Sequence, residues 1–213
     1  MKKFMALFMT FFMLSFSVFA DDSVADVKVY TQNLIDDAII KIFNKNNKTS
    51  AERIPPFRKV LNANFDFDFI ANFVLGVYGR GMTNYEKDNF IKEFAELNVY
   101  TFVKKFAVYS DQQIKVVDVK QGKKEGQYFV SSKVISSNPS DKDFSVDWRI
   151  MKVGDTYKVI DVIIEGVSMA MSYKNEYAPV LKIGKDEGKS PVEYLTNKIQ
   201  DKVIQLKLED TSK

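Results

Sequence analysis

The sequence predicts an α+β domain: a four-stranded antiparallel sheet, with a helical layer on one face supplied by helices before and after it. Three observations carry this reading. Between residues 112 and 165 apolar side chains recur at every second position, in four runs separated by turn residues. On either side of that stretch they recur at three- and four-residue steps. The chain has 213 residues of globular composition without an internal repeat, the size of one ordinary domain.

Met1-Lys2-Lys3 followed by the apolar run Phe4 to Phe19 has the charged and apolar regions of a secretory signal. Val18 and Ala20 are small where a signal peptidase reads, so residues 1–20 are expected to be removed, leaving 21–213 as a single domain that starts at Asp21. The alternative is a permanent anchor helix, for which the run is barely long enough.

Helical spacing over residues 23–46 is carried by Val24, Val27, Leu34, Ile35, Ala38, Ile39, Ile42 and Phe43. After the polar break Asn44 to Ser50, Ser50 caps a short helix through Leu61, with Pro55 and Pro56 blurring its start. Asp66 and Asp68 read as helix-start residues. A general acid–base pair is the competing reading, but residues two apart on a helix point in different directions. Phe69, Phe73, Val77 and, one step off, Leu75 form the apolar face of that helix. Gly76, Gly79 and Gly81 lack the preceding strand and following Lys-Ser/Thr of a phosphate loop, and read as a helix end and linker. Thr83-Asn84-Tyr85-Glu86 is a capping box, opening a long helix whose stripe includes Phe90, Phe94, Leu97, Val99, Phe102 and Val103.

The strands are expected at about 112–120, 127–136, 143–152 and 157–165, joined by turns at Gly122–Gly126, Asn138-Pro139 and Gly154-Asp155. In the third strand Phe144, Val146, Trp148 and Ile150 share a face; in the fourth, Ile160, Val162 and Ile164 do, opposite Asp161, Ile163 and Glu165. Gly166 permits a bulge or bend. A Met-rich helix follows, with Pro179 marking a break near its end and Gly184 and Gly188 a linker. Ser190-Pro191-Val192-Glu193 combines an N-cap, Pro at the first helical position and Glu at the third. The closing helix carries Val192, Leu195, Ile199 and Val203.

Formal net charge is +3, and loss of Lys2 and Lys3 with the signal leaves 29 basic against 28 acidic side chains, a net of +1. That balance, without a Lys/Arg run, gives no case for nucleic acid. The absence of Cys and His removes disulfides, Ser-His-Asp and Cys-His catalysis, and every thiolate or imidazole metal site. Carboxylate-only chemistry stays open. So does the meaning of the apolar strand that passes through Gly166 into Met169 and Met171, which suits the wall of a deep apolar space and also an ordinary core.

Tyr157 with Asp161-Val162, then Glu165-Gly166-Val167-Ser168-Met169 and Lys174-Asn175-Glu176-Tyr177, resembles the signature of the MlaC (toluene-tolerance, ABC-transporter auxiliary) family. Phe65-Asp66-Phe67 with Leu75-Gly76, Phe90 and Phe94 on the long helix, and Trp148-Arg149 agree in spacing and residue type, so the likeness covers residues 23–206. The resemblance implies a curved sheet wrapped by helices, with an apolar cavity between them. It implies a periplasmic shuttle that carries phospholipid between an outer-membrane lipoprotein complex and an inner-membrane ABC transporter complex with its substrate-binding-domain subunit, maintaining outer-membrane asymmetry. The acyl chains would lie inside and the head group near the mouth. The residues expected against them are Phe69, Phe73, Leu75, Phe94, Trp148, Ile160, Val162, Ile164, Val167, Met169 and Met171. Phospholipid is then cargo; no catalytic residue, metal or cofactor is expected. Two alternatives stand beside the shuttle: an exported binder of another hydrophobic ligand, and a carboxylate-based enzyme of a similar cone-shaped fold.

Overall fold

The computed structural model describes residues 22–43, 49–106, 112–136 and 143–211. The expected signal, residues 1–20, and the turn at Asn138-Pro139 lie outside the described residues.

The first helix, α1 (Asp22–Ile35), runs into a π-helical turn (Asp36–Ile40) and a last turn, α2 (Lys41–Phe43), so the expected single helix carries a bulge. Helix α3 spans Ser50–Asn64. Its cap is Thr49, not Ser50: the Glu52 N–H donates to Thr49 Oγ1 at 3.3 Å, and the Thr49 N–H donates back to Glu52 Oε2 at 2.8 Å. Pro55 and Pro56 lie past the first turn, and the helix continues because Phe57 and Leu61 are buried beyond them.

Helix α4 (Phe67–Leu75) starts at Asp66, whose carboxylate accepts from the Phe69 N–H at 2.9 Å. A 3-10 stretch, Gly76–Gly81, leads to α5 (Asn84–Phe106), which the expected Thr83–Glu86 capping box opens. The α4 face is not the expected one. Phe67, Ile70, Ala71 and Val74 are buried, whereas Val77 and Phe69 are exposed.

The sheet is a meander, β1 (Gln113–Gln121), β2 (Gln127–Ile135), β3 (Phe144–Val153) and β4 (Thr156–Ile164), with order β1-β2-β3-β4-β5. It has five strands, not four. The fifth, β5 (Val167–Ser168), turns back on β4, pairing Val167 with Ile164 and Ser168 with Ile163. Glu165 (φ 49°) and Gly166 (φ 80°) are the two loop residues, and both carry the positive φ that a tight two-residue hairpin requires.

Two bulges bend the sheet. In β1 Val116 pairs with Ser132 but Asp118 with Ser131, leaving Val117 extra; in β4 Val159 pairs with Ile150 but Asp161 with Arg149, leaving Ile160 extra. The second bulge changes the parity of β4. Val159, opposite Ile150, joins the inward side of Val162, opposite Trp148, so the apolar face is not the simple alternation of Ile160, Val162 and Ile164.

The β1 edge is closed by a side chain. Val116 N–H donates to Gln32 Oε1 at 3.0 Å, and Gln32 Nε2 donates to the Ile114 carbonyl at 3.2 Å, as a neighbouring strand would.

Helix α6 spans Met169–Asp186 without the expected break at Pro179, and Gly184 is a buried helix position, not a linker. A Cβ on Gly184 would stand 2.8 Å from Tyr194 Cβ and 3.2 Å from Pro191 Cα, so Gly184 is where the last helix, α7 (Pro191–Thr211), meets α6. Burial of Tyr177, Leu181 and Gly184 along one side keeps the helix continuous through Pro179. Helix α7 packs on α5 and α6, and Ser190 before it donates to Glu86 at the start of α5.

Candidate functional site

Between the inner sheet face and the helices lies a cavity of about 510 Å³. Ile114, Val134, Val146 and Trp148 floor it from β1 to β3, and Ile160, Val162 and Ile164 from β4. Leu34 and Ala38 close one side with Phe57, Val60 and Leu61 of α3. Phe65, Phe67, Ile70, Phe94 and Phe102 supply the next wall, and Met169, Ala170 and Tyr173 at the start of α6 supply the last.

The position of α4 over this space follows from its entry. Asp66 N–H donates to the Val159 carbonyl at 3.0 Å, and Phe65 bridges Val159, so the helix start is tied to β4 at the bulge. Phe67 and Ile70 then turn inward.

The polar groups deep in the wall are spent on each other. Trp148 Nε1–H donates to Ser132 Oγ at 3.1 Å, and the Ser132 hydroxyl donates to the Val146 carbonyl at 2.6 Å. The indole therefore presents hydrocarbon to the cavity. Asn98 Nδ2 donates to the Phe94 carbonyl at 2.7 Å, and its oxygen accepts from the Tyr173 hydroxyl at 2.9 Å. Burial pushes the Tyr173 phenol well above the tyrosine range, with the Glu176 charge adding to it. Asp161, the one lining acid among the described residues, accepts from the Ser168 hydroxyl at 2.6 Å and the Ala170 N–H at 3.0 Å, and Arg149 Nη1 stands 3.6 Å away. The Ser168 oxygen in turn caps α6 by accepting from the Met171 N–H at 3.1 Å.

Among the described residues, the exposed part of the lining lies at the end of the sheet where β1 and β3 begin: Lys104 and Lys105 are exposed there, and Phe102, Gln112 and Phe144 are half-buried. A greasy interior with a cationic rim is the arrangement.

Six of the expected contact residues line this space: Phe94, Trp148, Ile160, Val162, Ile164 and Met169. Five stand elsewhere. Phe69 (39% exposed) and half-buried Phe73, with Lys174 Nζ 4.6 Å above its ring, lie on the outward side of α4. Leu75 is buried in the core without reaching the cavity. Val167 (57% exposed) belongs to the short β5 edge, and Met171 (46%) points outward because Met169, Ala170 and Tyr173 take the inward side of α6. The helical residues overlooked include Leu34, Ala38, Phe57, Leu61, Phe67 and Ile70, and also Val60, Phe102, Ala170 and Tyr173. For α4 the signal was present, since Phe67, Ile70, Ala71 and Val74 follow the i, i+3, i+4, i+7 spacing of a buried face.

The family model described as MlaC protein matches residues 32–200. No curated protein matches the sequence. Among solved structures, a phospholipid-binding protein from Ralstonia solanacearum in complex with a phospholipid superposes with a TM-score of 0.71. It is 19% identical, over 84% of this chain and 97% of that one, a likeness of fold.

Proposed function

The chain belongs to the MlaC family, and on that footing we propose that it binds a phospholipid by its acyl chains and shuttles it across the periplasm. The observation that carries the reading is the cavity: hydrocarbon walls on both sides, and deep polar groups already paired with one another. The phospholipid bound by the Ralstonia protein of the same fold supports the ligand class.

Magnitudes favour a carrier over a trap. Each methylene moved out of water gains roughly 0.8 kcal/mol, so a bound chain does not escape into solvent. Against a bilayer the difference is near zero, since lipid tails are as apolar as the wall. A cavity of about 510 Å³ is within the range of small-molecule and lipid sites, and flexible walls such as Met169 let it adapt to the length and number of chains it receives.

The shuttle reading places donor and acceptor complexes in the two membranes: an outer-membrane lipoprotein complex and an inner-membrane ABC transporter. It also requires export with loss of residues 1–20, so that N-terminal sequencing of periplasmic protein finds Asp21 first.

Purified protein stripped of lipid is incubated with phospholipid vesicles, separated from them and extracted. The expected result is stoichiometric phospholipid on the protein and its return to fresh vesicles. Protein that takes up none overturns the proposal, and a different hydrophobic compound on freshly purified protein replaces the cargo.

A further inference from the structure

The rim of the cavity is not electrically neutral. Of the charged side chains lining it, Asp161 is buried and engaged by Ser168, Ala170 and Arg149, and Lys104 pairs with Glu209 at 2.6 Å. Lys105 has no carboxylate partner among the described residues; its ammonium lies 6.0 Å from the Phe102 ring centroid. Its place in the last turn of α5 suits a cation on its own, because the helix dipole is negative there. That explains a lysine at the helix end but not why it lines the mouth of an apolar cavity. Gln112 lines the same mouth, and its Oε1 is buried without a hydrogen-bond partner. The opening thus offers one unneutralised cation and one unmet acceptor.

We infer that Lys105 and Gln112 select the head group of the cargo: an anionic phosphodiester bearing a free hydroxyl, as in phosphatidylglycerol, over a zwitterionic one. This rests on the phospholipid reading above and deepens it. The phosphate oxygens pair with the Lys105 ammonium, and a head-group hydroxyl donates to Gln112 Oε1. An ethanolamine ammonium offers Gln112 a donor as well, but it brings a positive charge beside the unpaired Lys105. The acyl chains gain the same burial in either lipid, so the rim decides between them.

Lipid-stripped protein is incubated with vesicles of equal parts phosphatidylglycerol and phosphatidylethanolamine with identical chains, and the bound lipids are weighed by mass spectrometry. Phosphatidylglycerol should be enriched roughly twofold to fivefold, the range of a solvent-exposed ion pair. In Lys105→Gln the enrichment should vanish. Lys185→Gln, an equal loss of charge on an exposed part of α6 outside the cavity lining, should keep it. Equal proportions on the unaltered protein, or enrichment that survives Lys105→Gln, overturn the inference and leave phospholipid binding standing. Enrichment lost equally in both variants overturns it too, since whole-protein charge then explains the preference. Inorganic phosphate at millimolar concentration should leave the bound lipid in place; if it abolishes the preference by binding alone, the rim is a free-anion site and the inference falls. If neither lipid loads, the phospholipid reading fails and takes this one with it.

Discussion

Ser168 and Asp161 are joined by a hydroxyl–carboxylate hydrogen bond of 2.6 Å that ties the fourth strand to the helix after it. The same Ser168 oxygen caps α6, and the same carboxylate holds the Ala170 N–H, so two backbone donors of the first turn are met through one buried acid. This corner fixes where Met169 and Ala170 enter the cavity wall. The side chains of the motif carry out a structural task at the border of the site.

Asp161→Ala should therefore loosen the corner. It leaves the Ala170 N–H without its acceptor, for a loss of about 1–3 kcal/mol, read as a lower urea midpoint with an unchanged slope. Asp161→Asn keeps an oxygen for Ala170 and should cost less. An unaltered midpoint in Asp161→Ala would show that the corner holds without the acid.

Ile164→Glu tests whether the inward end of β4 faces a cavity or a packed interior. In a close-packed core an unpaired carboxylate costs several kcal/mol, against the roughly 5–15 kcal/mol that holds a domain together. Ile164 is half-buried on the cavity lining, where water reaches a carboxylate once lipid has left. The expected variant keeps its circular dichroism spectrum and loses its lipid; an unfolded chain points to dry packing, and a folded, lipid-loaded one removes Ile164 from the contact surface.

Gly184→Ala probes the contact of α6 with α7. The added methyl would meet Tyr194 Cβ at 2.8 Å, closer than carbon atoms approach, and Pro191 backbone lies just behind. Overpacking of this kind costs about 1–3 kcal/mol, measurable by thermal or urea unfolding. A stability equal to that of the parent protein would mean that α7 shifts freely on α6.

Alkaline unfolding should be set by buried phenols. Burial pushes Tyr30 up to about 12, and it drives Tyr173 and Tyr177 higher still. An unfolded tyrosine releases its proton near pH 10. Below that pH both states hold the proton and the full stability is present. As pH rises from about 10 through 12 the unfolded chain loses protons that the folded chain keeps, and stability falls. Tyrosinate absorbance and circular dichroism should change together in this window. Tyr30→Phe, at the expense of the Tyr30–Asn64 hydrogen bond, should flatten the decline; three tyrosines titrating freely near pH 10 in folded protein would contradict it.

Much of the fold was legible because burial of one sheet face imposes a period of two. All four expected strands appear with ends displaced by one residue or so, and Thr83–Glu86 and Ser190–Glu193 open helices as their chemistry demands. The bulges were not legible. In Val116-Val117-Asp118 and Val159-Ile160-Asp161 the paired and the extra residue are both β-branched and suit a strand equally, and only the register against the partner reveals the extra one. Helix α4 misled because it is apolar on more than one side: Phe69 and Phe73 make as good a stripe as Phe67, Ile70 and Val74, and the choice is made by the tie of Asp66 to Val159. Pro179 and Gly184 read as punctuation, yet α6 packing overrides the first, and close approach to Tyr194 explains the second. The strand half of the candidate site was visible as an apolar face. Its helical half was visible only as core, since a pattern of apolar residues does not tell whether the space between them is filled.

The closure of β1 by Gln32 has a kinetic side. The two residues are 84 positions apart, so the chain must close a long loop before the amide reaches its strand. Strands β1 to β4 pair through short hairpins and need not wait for it. Until Gln32 is in place, Ile114 and Val116 offer an open ladder that another chain can occupy. The helix that leaves the ribosome before any strand thus carries the side chain that keeps each sheet from recruiting a second.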